Sequence, residues 1–222
     1  MPDARQLGEQ VFHNATIGHQ NWQSCASCHP DGRADGLNWD LLNDGIGNPK
    51  NTKSLVWSHR TPPAMSHGVR GTAEKAVRSG LRNILFALRP EAEASAIDEY
   101  LKALRPVPSP RLVGGELSAA ARRGQRLFDD PKVGCATCHP APLFTDQKSY
   151  AVGTGNRTDR RGDRFDTPTV VECWRTAPYL HDGSAVTLEE VLTTRNPKDE
   201  HGHTSHLTPA EIQHLAAYVR SL

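Results

Sequence analysis

The feature that most constrains this chain is a five-residue pattern, Cys-x-x-Cys-His, which occurs twice, at residues 25–29 and 135–139. A proline follows each copy, and an amphipathic helical segment precedes each one. Three kinds of site use such cysteine pairs: covalent haem attachment, a zinc site built from both pairs, and redox-active dithiols. The surrounding sequence has to decide among them.

Other segments repeat in the same order around the two copies, which indicates an internal duplication. The repeated segments begin at Gly8 and Gly124, at Arg60 and Arg175, and at Tyr100 and Tyr218. Proline-rich residues 106–110 lie between the copies and have the composition of a linker. We therefore predict two similar domains, residues 1–108 and residues 109–222.

The secondary-structure signals are those of helices separated by loops. We predict helix starts at Ser118 (running to about Phe128), at Thr187 with Glu190 in a capping box, and at Thr208 with Pro209 and Glu211 behind it. The last helix carries apolar residues at helical spacing, namely Ile212, Leu215, Val219 and Leu222. Because no segment alternates convincingly like a strand, the predicted fold is all-α.

The histidine directly after each cysteine pair favours haem c over zinc or a redox dithiol, because neither of those needs a histidine there. Two thiols at this spacing add across the haem vinyl groups, and the histidine becomes the proximal iron ligand. Only 36% of the residues are hydrophobic, so an apolar haem would also supply core surface to each domain. The predicted attachment residues are Cys25, Cys28, Cys135 and Cys138, and the predicted proximal ligands are His29 and His139.

The sixth ligand of the first iron is predicted to be Met65, in the loop Pro-Pro-Ala-Met-Ser-His. The chain has two methionines, and Met1 at the terminus is a poor candidate for a ligand held by the fold. Histidine–methionine ligation raises the haem potential. A packing role for Met65 is the alternative, with His59 and His67 as rival ligands.

The sixth ligand of the second iron has to be of another type, because the second half contains no methionine and Leu180 stands where Met65 does. An open, five-coordinate iron is one possibility. The histidines that could serve instead are His181, His201, His203 and His206.

Composition excludes some other functions. With 26 basic and 25 acidic residues the net charge is +1, which argues against a nucleic-acid partner. No stretch is apolar enough for a membrane span, and no signal peptide is recognisable. Because haem c is attached outside the bacterial cytoplasm, we still expect an exported, periplasmic protein whose signal was removed, or one piece of a longer chain. Cys173, the fifth cysteine, is expected to be structural.

The second half resembles a known family. Residues 165–169 (FDTPT), 175–184 (RTAPYLHDGS) and 187–191 (TLEEV) are similar to the second domain of bacterial di-haem cytochrome c peroxidases and MauG-like enzymes. The resemblance implies two facing cytochrome c-like domains and, in many members, calcium between them. One haem would accept electrons and the other would meet hydrogen peroxide.

The sequence also departs from that family. Arg195 stands where the family has the second distal ligand, so we favour His201 over His181, which the resemblance puts in a turn near the haem edge. In the first half, Ser66-His67-Gly68 replaces the family's tryptophan before Asp-Gly. Glu91 is the nearest candidate for the peroxidatic glutamate, and its alternative is a helix-start role.

These departures favour electron transfer between a redox partner protein, or domain, and another centre. The alternative is a peroxidase or MauG-like oxidoreductase that acts on hydrogen peroxide, which needs an open iron with an acid–base group above it. A further alternative is a cytochrome module of a larger redox protein.

Overall fold

The computed structural model describes residues 2–40, 47–159 and 162–222, so Met1 lies outside the described residues. The chain divides into two compact units, Met1–Arg105 and Pro106–Leu222. Residues 106–108, which the sequence assigns to the first domain, lie in the second unit. One reason is that the Val107 N–H donates to the Glu172 carboxylate at 2.5 Å.

The first unit contains four helices and one small antiparallel hairpin in its described part. Its helices are α1 (Ala4–His13), α2 (Cys25–Cys28), α3 (Ala73–Asn83) and α4 (Glu91–Ala103), and its strands are β1 (Asn38–Trp39) and β2 (Lys50–Asn51). Short 3-10 turns cover Ala15–Ile17, His19–Asn21 and Pro30–Gly32. Asp3 forms a capping box with Gln6 at the start of α1.

The described part of the second unit likewise contains four helices and two short strands. Its helices are α5 (Ala119–Phe128), α6 (Cys135–Cys138), α7 (Leu188–Leu192) and α8 (Pro209–Val219), and its strands are β3 (Ser149–Ala151) and β4 (Arg164–Asp166). The two strands pair antiparallel, with Tyr150 opposite Phe165. A 3-10 turn covers Cys173–Arg175. Among the described residues, no helix has both the length and the apolar character that a membrane crossing needs.

The predicted helix starts are largely confirmed. Ser118 caps α5, and Thr208 forms the predicted capping box with Glu211. Thr187 caps α7, but the Glu190 carboxylate accepts from the N–H of Val186 and not from that of Thr187, so the predicted capping box is half formed.

The sequence predicted no strands, and this prediction is wrong because the described residues contain four. Each has only two or three residues, which is too short to show an alternating pattern. The last predicted helix ends at Val219, and Leu222 is half-buried beyond it.

Each unit is built on a close crossing of its first and last helices, which occurs at a glycine. In the first unit α1 crosses α4, and a Cβ on Gly8 would lie 1.8 Å from the carbonyl oxygen of Ala96. In the second unit α5 crosses α8, and a Cβ on Gly124 would lie 1.8 Å from the carbonyl oxygen of His214. Only a residue without a side chain allows these helices to approach so closely.

Aromatic pairs fill both crossings. The ring centroids of Phe12 and Tyr100 lie 5.2 Å apart in the first unit, and those of Phe128 and Tyr218 lie 5.2 Å apart in the second. Around each pair the helices bury a separate apolar cluster, which includes the half-buried Cys25 in the first unit and Cys135 in the second. The cysteine segments are therefore fixed against the packed helices.

Candidate haem-binding sites

The first cysteine pair lies on the one-turn helix α2, directly before His29. The His29 N–H donates to the carbonyl of Cys25 at 3.0 Å, and its Nδ1 hydrogen-bonds the carbonyl of Arg33 at 3.0 Å. Burial lowers the pKa of His29, which favours the neutral imidazole. With Nδ1 engaged, Nε2 is the nitrogen that would bind iron.

The second cysteine pair has the same geometry on α6. The His139 N–H donates to the carbonyl of Cys135 at 2.9 Å, and its Nδ1 hydrogen-bonds the carbonyl of Phe144 at 3.0 Å. Burial lowers the pKa of His139 as well. Gly134 precedes the helix with a φ of 82°, a conformation that glycine adopts without strain.

The thiols do not have the properties of a redox dithiol or of a zinc site. All five cysteines are free, and burial raises the pKa of Cys25 and Cys28 to about 11 and that of Cys135 to about 12. A catalytic dithiol needs a lowered thiol pKa. Within the described ranges, no group of three or more histidine, cysteine or acidic side chains could hold a metal ion. Two thiols beside a buried neutral imidazole fit covalent haem c.

A carboxylate–aromatic pair beside each site escaped the sequence analysis. In the first unit the Asp35 N–H donates to the carbonyl of Cys28 at 3.2 Å, and Trp39 Nε1 donates to the Asp35 carboxylate at 2.8 Å. The second unit has the same arrangement at Cys138, Asp146 and Tyr150, with distances of 2.9 and 2.6 Å. An aspartate after each motif, with an aromatic residue four positions later, was the available signal.

His201 is the candidate ligand whose ring faces a predicted proximal histidine. The ring centroids of His139 and His201 lie 6.5 Å apart, at an interplanar angle of 43°. Two metal–nitrogen bonds of about 2 Å, together with two imidazole half-widths of about 1.1 Å, span about 6 Å between centroids. The separation therefore fits one iron between the rings. Burial first, and the neighbouring His139 second, lower the pKa of His201 to about 4, which keeps the ring neutral.

The other histidines of the second unit have different surroundings. Nε2 of His181 hydrogen-bonds Asp159 at 2.9 Å, and its ring stacks on Phe165 with centroids 3.8 Å apart. His203 and His206 are exposed, as is Arg195. His181 therefore links the turn of residues 179–183 to the loop of residues 156–159 through its bond to Asp159.

In the first unit, the candidates for the sixth ligand are distinguished by their partners. The side chain of His59 is buried, with Nε2 3.0 Å from Asp98 and Nδ1 3.3 Å from Ser58 Oγ, so both ring nitrogens are engaged. His67 and Met65 are half-buried, and Met65 has a left-handed φ of 74°, similar to the 70° of Leu180. Ligation by Met65 stays a prediction.

Two further sequence candidates have structural partners. Glu91 is exposed at the first position of α4 and pairs with Arg78, whose hydrogen bond holds the pKa of this carboxyl below its usual value. This environment suits the helix-start alternative. Burial raises the pKa of Cys173 to about 12, and its carbonyl accepts the hydroxyl of Tyr179 at 3.0 Å.

Comparison with known proteins supplies a family and relatives. The family model described as di-haem cytochrome c peroxidase matches residues 118–222. The chain is 34% identical to hydrazine synthase subunit gamma of Kuenenia stuttgartiensis, over 97% of this chain and 76% of that protein. It is 24% identical to the methylamine utilization protein MauG of Methylophilus methylotrophus, over 84% of this chain and 70% of that protein.

A solved structure of hydrazine synthase from Kuenenia stuttgartiensis, pressurized with xenon, shares the fold. It superposes with a TM-score of 0.90 and 30% identity, over 100% of this chain and 88% of that chain. The predominantly helical fold with few short strands, seen here, is therefore that of MauG-like di-haem cytochromes.

Proposed function

Because the chain belongs to the di-haem cytochrome c peroxidase and MauG family, we propose that it is a di-haem c-type cytochrome that transfers electrons. One haem would be attached through Cys25 and Cys28, and the other through Cys135 and Cys138. The two units would be duplicated cytochrome c-like domains. The matched helix crossings at Gly8 and Gly124 support this part of the proposal.

The observation that carries the proposal is the 6.5 Å separation of the His139 and His201 rings. An iron ligated on both faces would have no open position for peroxide, so it could exchange electrons but could not bind peroxide. Haem supplies a one-electron iron couple. The protein holds the imidazoles neutral and in place, through burial and through the bond from His139 Nδ1 to the carbonyl of Phe144.

The first haem would be ligated by His29 and Met65. A thioether ligand raises the potential relative to a second imidazole, so this haem would be reduced before the haem between His139 and His201. The partner would be a redox protein or domain, in the compartment outside the cytoplasm where haem c is attached. Calcium enters this proposal through the family alone, and elemental analysis of the purified protein tests it.

The experiment is a ferric EPR spectrum of the two-haem protein and of two glycine variants. Wild-type protein should carry two added haems by mass spectrometry, and both irons should be low-spin. His201→Gly should make one iron high-spin. His181→Gly is the matched control and should leave both irons low-spin, because His181 is engaged by Asp159.

Two results would contradict the proposal. If His181→Gly opens an iron and His201→Gly does not, the ligand assignment is wrong. If wild-type protein already contains a high-spin haem and turns over hydrogen peroxide, the peroxidase alternative replaces electron transfer.

A second candidate function is that of a subunit in a larger redox assembly. The identity of 34% with a protein named as a subunit, hydrazine synthase subunit gamma, favours it. Native mass spectrometry of the protein isolated gently from its source cells should then find it in a complex with other chains. Isolation as a free chain would contradict this candidate and would leave the electron-transfer proposal intact.

A further inference from the structure

We propose that Asn196 is the positioning residue that holds His201 in place as the distal ligand. This inference rests on the proposed function, because it assumes that His201 binds the second iron. Asn196 would act through His201, whose backbone it hydrogen-bonds.

Asn196 is the centre of a hydrogen-bond cluster that fixes the loop carrying His201. The Asn196 side chain is buried, and its Oδ1 accepts the His201 N–H at 2.8 Å. Its Nδ2 donates to the carbonyls of His201 and Gly202 at 3.1 and 2.8 Å, and to Thr204 Oγ1 at 2.9 Å. One amide therefore binds the backbone of His201 on both sides of its Cα.

The ring of His201 lacks the usual support of a ligating histidine. Such a histidine normally donates its second ring nitrogen to an acceptor, as His139 does to the carbonyl of Phe144. Nδ1 of His201 is buried and has no hydrogen-bond partner among the described residues. The orientation of this imidazole therefore depends on the backbone position that Asn196 fixes.

The same cluster joins the loop to the haem-attachment segment. The Thr204 hydroxyl donates to the carbonyl of Leu192, at the end of α7, at 2.6 Å. The His203 N–H donates to the carbonyl of Val133, two residues before Cys135, at 2.9 Å. Gly202, between His201 and His203, has a φ of 76°, and a Cβ there would lie 3.1 Å from the Val133 oxygen. These hydrogen bonds, to Leu192 and to Val133, thus fix the distance between His201 and His139.

Removing the Asn196 amide should weaken the binding of His201 to iron, although the His201 side chain itself is still present. Asn196→Leu keeps a similar volume but leaves the His201 N–H, two carbonyls and one hydroxyl without this partner. Buried groups left in this way cost about 1–3 kcal/mol, which corresponds to roughly a five- to 150-fold shift in the equilibrium between bound and unbound His201. The second haem should become partly high-spin.

The experiment compares ferric EPR spectra of the two-haem protein and its variants, with and without added imidazole. Asn196→Leu should increase the high-spin fraction of one haem, and imidazole should restore the low-spin signal because it fills the released position. Asp199→Asn is the matched control. It removes a charge in the same loop but keeps an oxygen that can accept from the N–H groups of Thr204 and Ser205, and asparagine tolerates the left-handed φ of 56° at this position. Asp199 makes no hydrogen bond to His201 among those described, so the spectrum of this variant should match that of wild type.

The outcomes separate this inference from the proposed function. If His201→Gly leaves both irons low-spin, the ligand assignment fails and the inference fails with it. If His201→Gly opens an iron but Asn196→Leu keeps a wild-type spectrum, or if Asp199→Asn has the same effect as Asn196→Leu, only the role of Asn196 is overturned. If Asn196→Leu loses haem, Thr204→Val is the second variant. It removes the hydroxyl that accepts from Asn196 Nδ2 and donates to the Leu192 carbonyl, and it should give a smaller imidazole-reversible increase in the high-spin fraction. No increase would overturn the inference.

Discussion

The proximal sides of the two candidate haem sites are near copies, while their distal sides differ. His29 and His139 each follow a one-turn helix, and each bonds a carbonyl through Nδ1 at 3.0 Å. Beside them, Trp39 donates to Asp35 in the first unit, as Tyr150 does to Asp146 in the second. All these contacts join residues close in sequence, so a duplication of such a segment would preserve them.

On the proposed distal side the two units have different residues, which come from distant segments. In the second unit the ring of His201 lies 6.5 Å from that of His139, and Asn196 hydrogen-bonds the His201 N–H. In the first unit, His59 precedes Arg60 as Trp174 precedes Arg175, but His59 is tied to Asp98. Distal contacts depend on loops that meet only in the folded chain, so one unit can change them without disturbing the attachment site.

The largest expected effect comes from giving the first unit the residue that the second unit has at the Met65 position. Met65→Leu introduces the residue that stands at the equivalent position, Leu180, with a similar left-handed backbone. The weak near-infrared sulfur-to-iron band should vanish. The potential of the first haem should fall by on the order of 0.1 V, within the about 0.8 V range that axial ligands span. Near-infrared absorption and spectroelectrochemistry measure both.

The second haem is the internal control for this variant, and its potential should not move. Absence of the band in wild-type protein, or its persistence in Met65→Leu, would assign Met65 to packing.

The second prediction tests whether the two helix crossings are equivalent in energy. Gly8→Ala and Gly124→Ala each place a methyl group 1.8 Å from a carbonyl oxygen, so each should lower the free energy of unfolding by about 3 kcal/mol or more. Gly80→Ala is the control. Gly80 lies in α3 with no atom near its added Cβ, and this change should stabilise by about 0.5–1 kcal/mol. Urea unfolding measures all three.

Unequal costs at Gly8 and Gly124 would show that the two crossings differ in rigidity. A lower free energy of unfolding in Gly80→Ala would contradict the conclusion that a side chain fits at that position.

The third prediction concerns the buried pair of His59 and Asp98, at a position where the second unit has Trp174. Asp98 bonds both His59 and Arg78, so Asp98→Asn should lower the free energy of unfolding by about 1–3 kcal/mol. Glu93→Gln, on the same helix, is the control. It removes a partly exposed pair with Arg89 and should cost less than about 0.5 kcal/mol. Equal costs in urea unfolding would contradict a special role for Asp98.

The smallest expected effect is on the carboxylate–aromatic pairs. Tyr150→Phe removes a donor from the Asp146 carboxylate and leaves its negative charge less compensated. A negative charge near a haem stabilises the oxidised iron, so the potential of the second haem should fall slightly. Trp39→Phe should do the same to the first haem through Asp35. Spectroelectrochemistry measures both potentials. The two pairs would not be equivalent if either variant shifted only the potential of the haem in the opposite unit.

Much of the helical framework was predictable because its signals are local. The hydrogen bonds of Ser118 and Thr208 join residues within one turn, so their residue types alone predicted the starts of α5 and α8. The strands were missed because Asn38–Trp39 and Ser149–Ala151 are too short to carry a pattern.

The sequence by itself was enough to predict haem attachment, because two thiols and a histidine within five residues leave few other uses for the pattern. It could not choose among the histidines of the second half on spacing alone. Only the tertiary structure brings the ring of His201 opposite His139, binds His181 to Asp159 and reveals the support from Asn196. The physical reason is that a distal ligand is selected by where separate chain segments meet, and such meetings depend on packing and buried hydrogen bonds that no local pattern encodes.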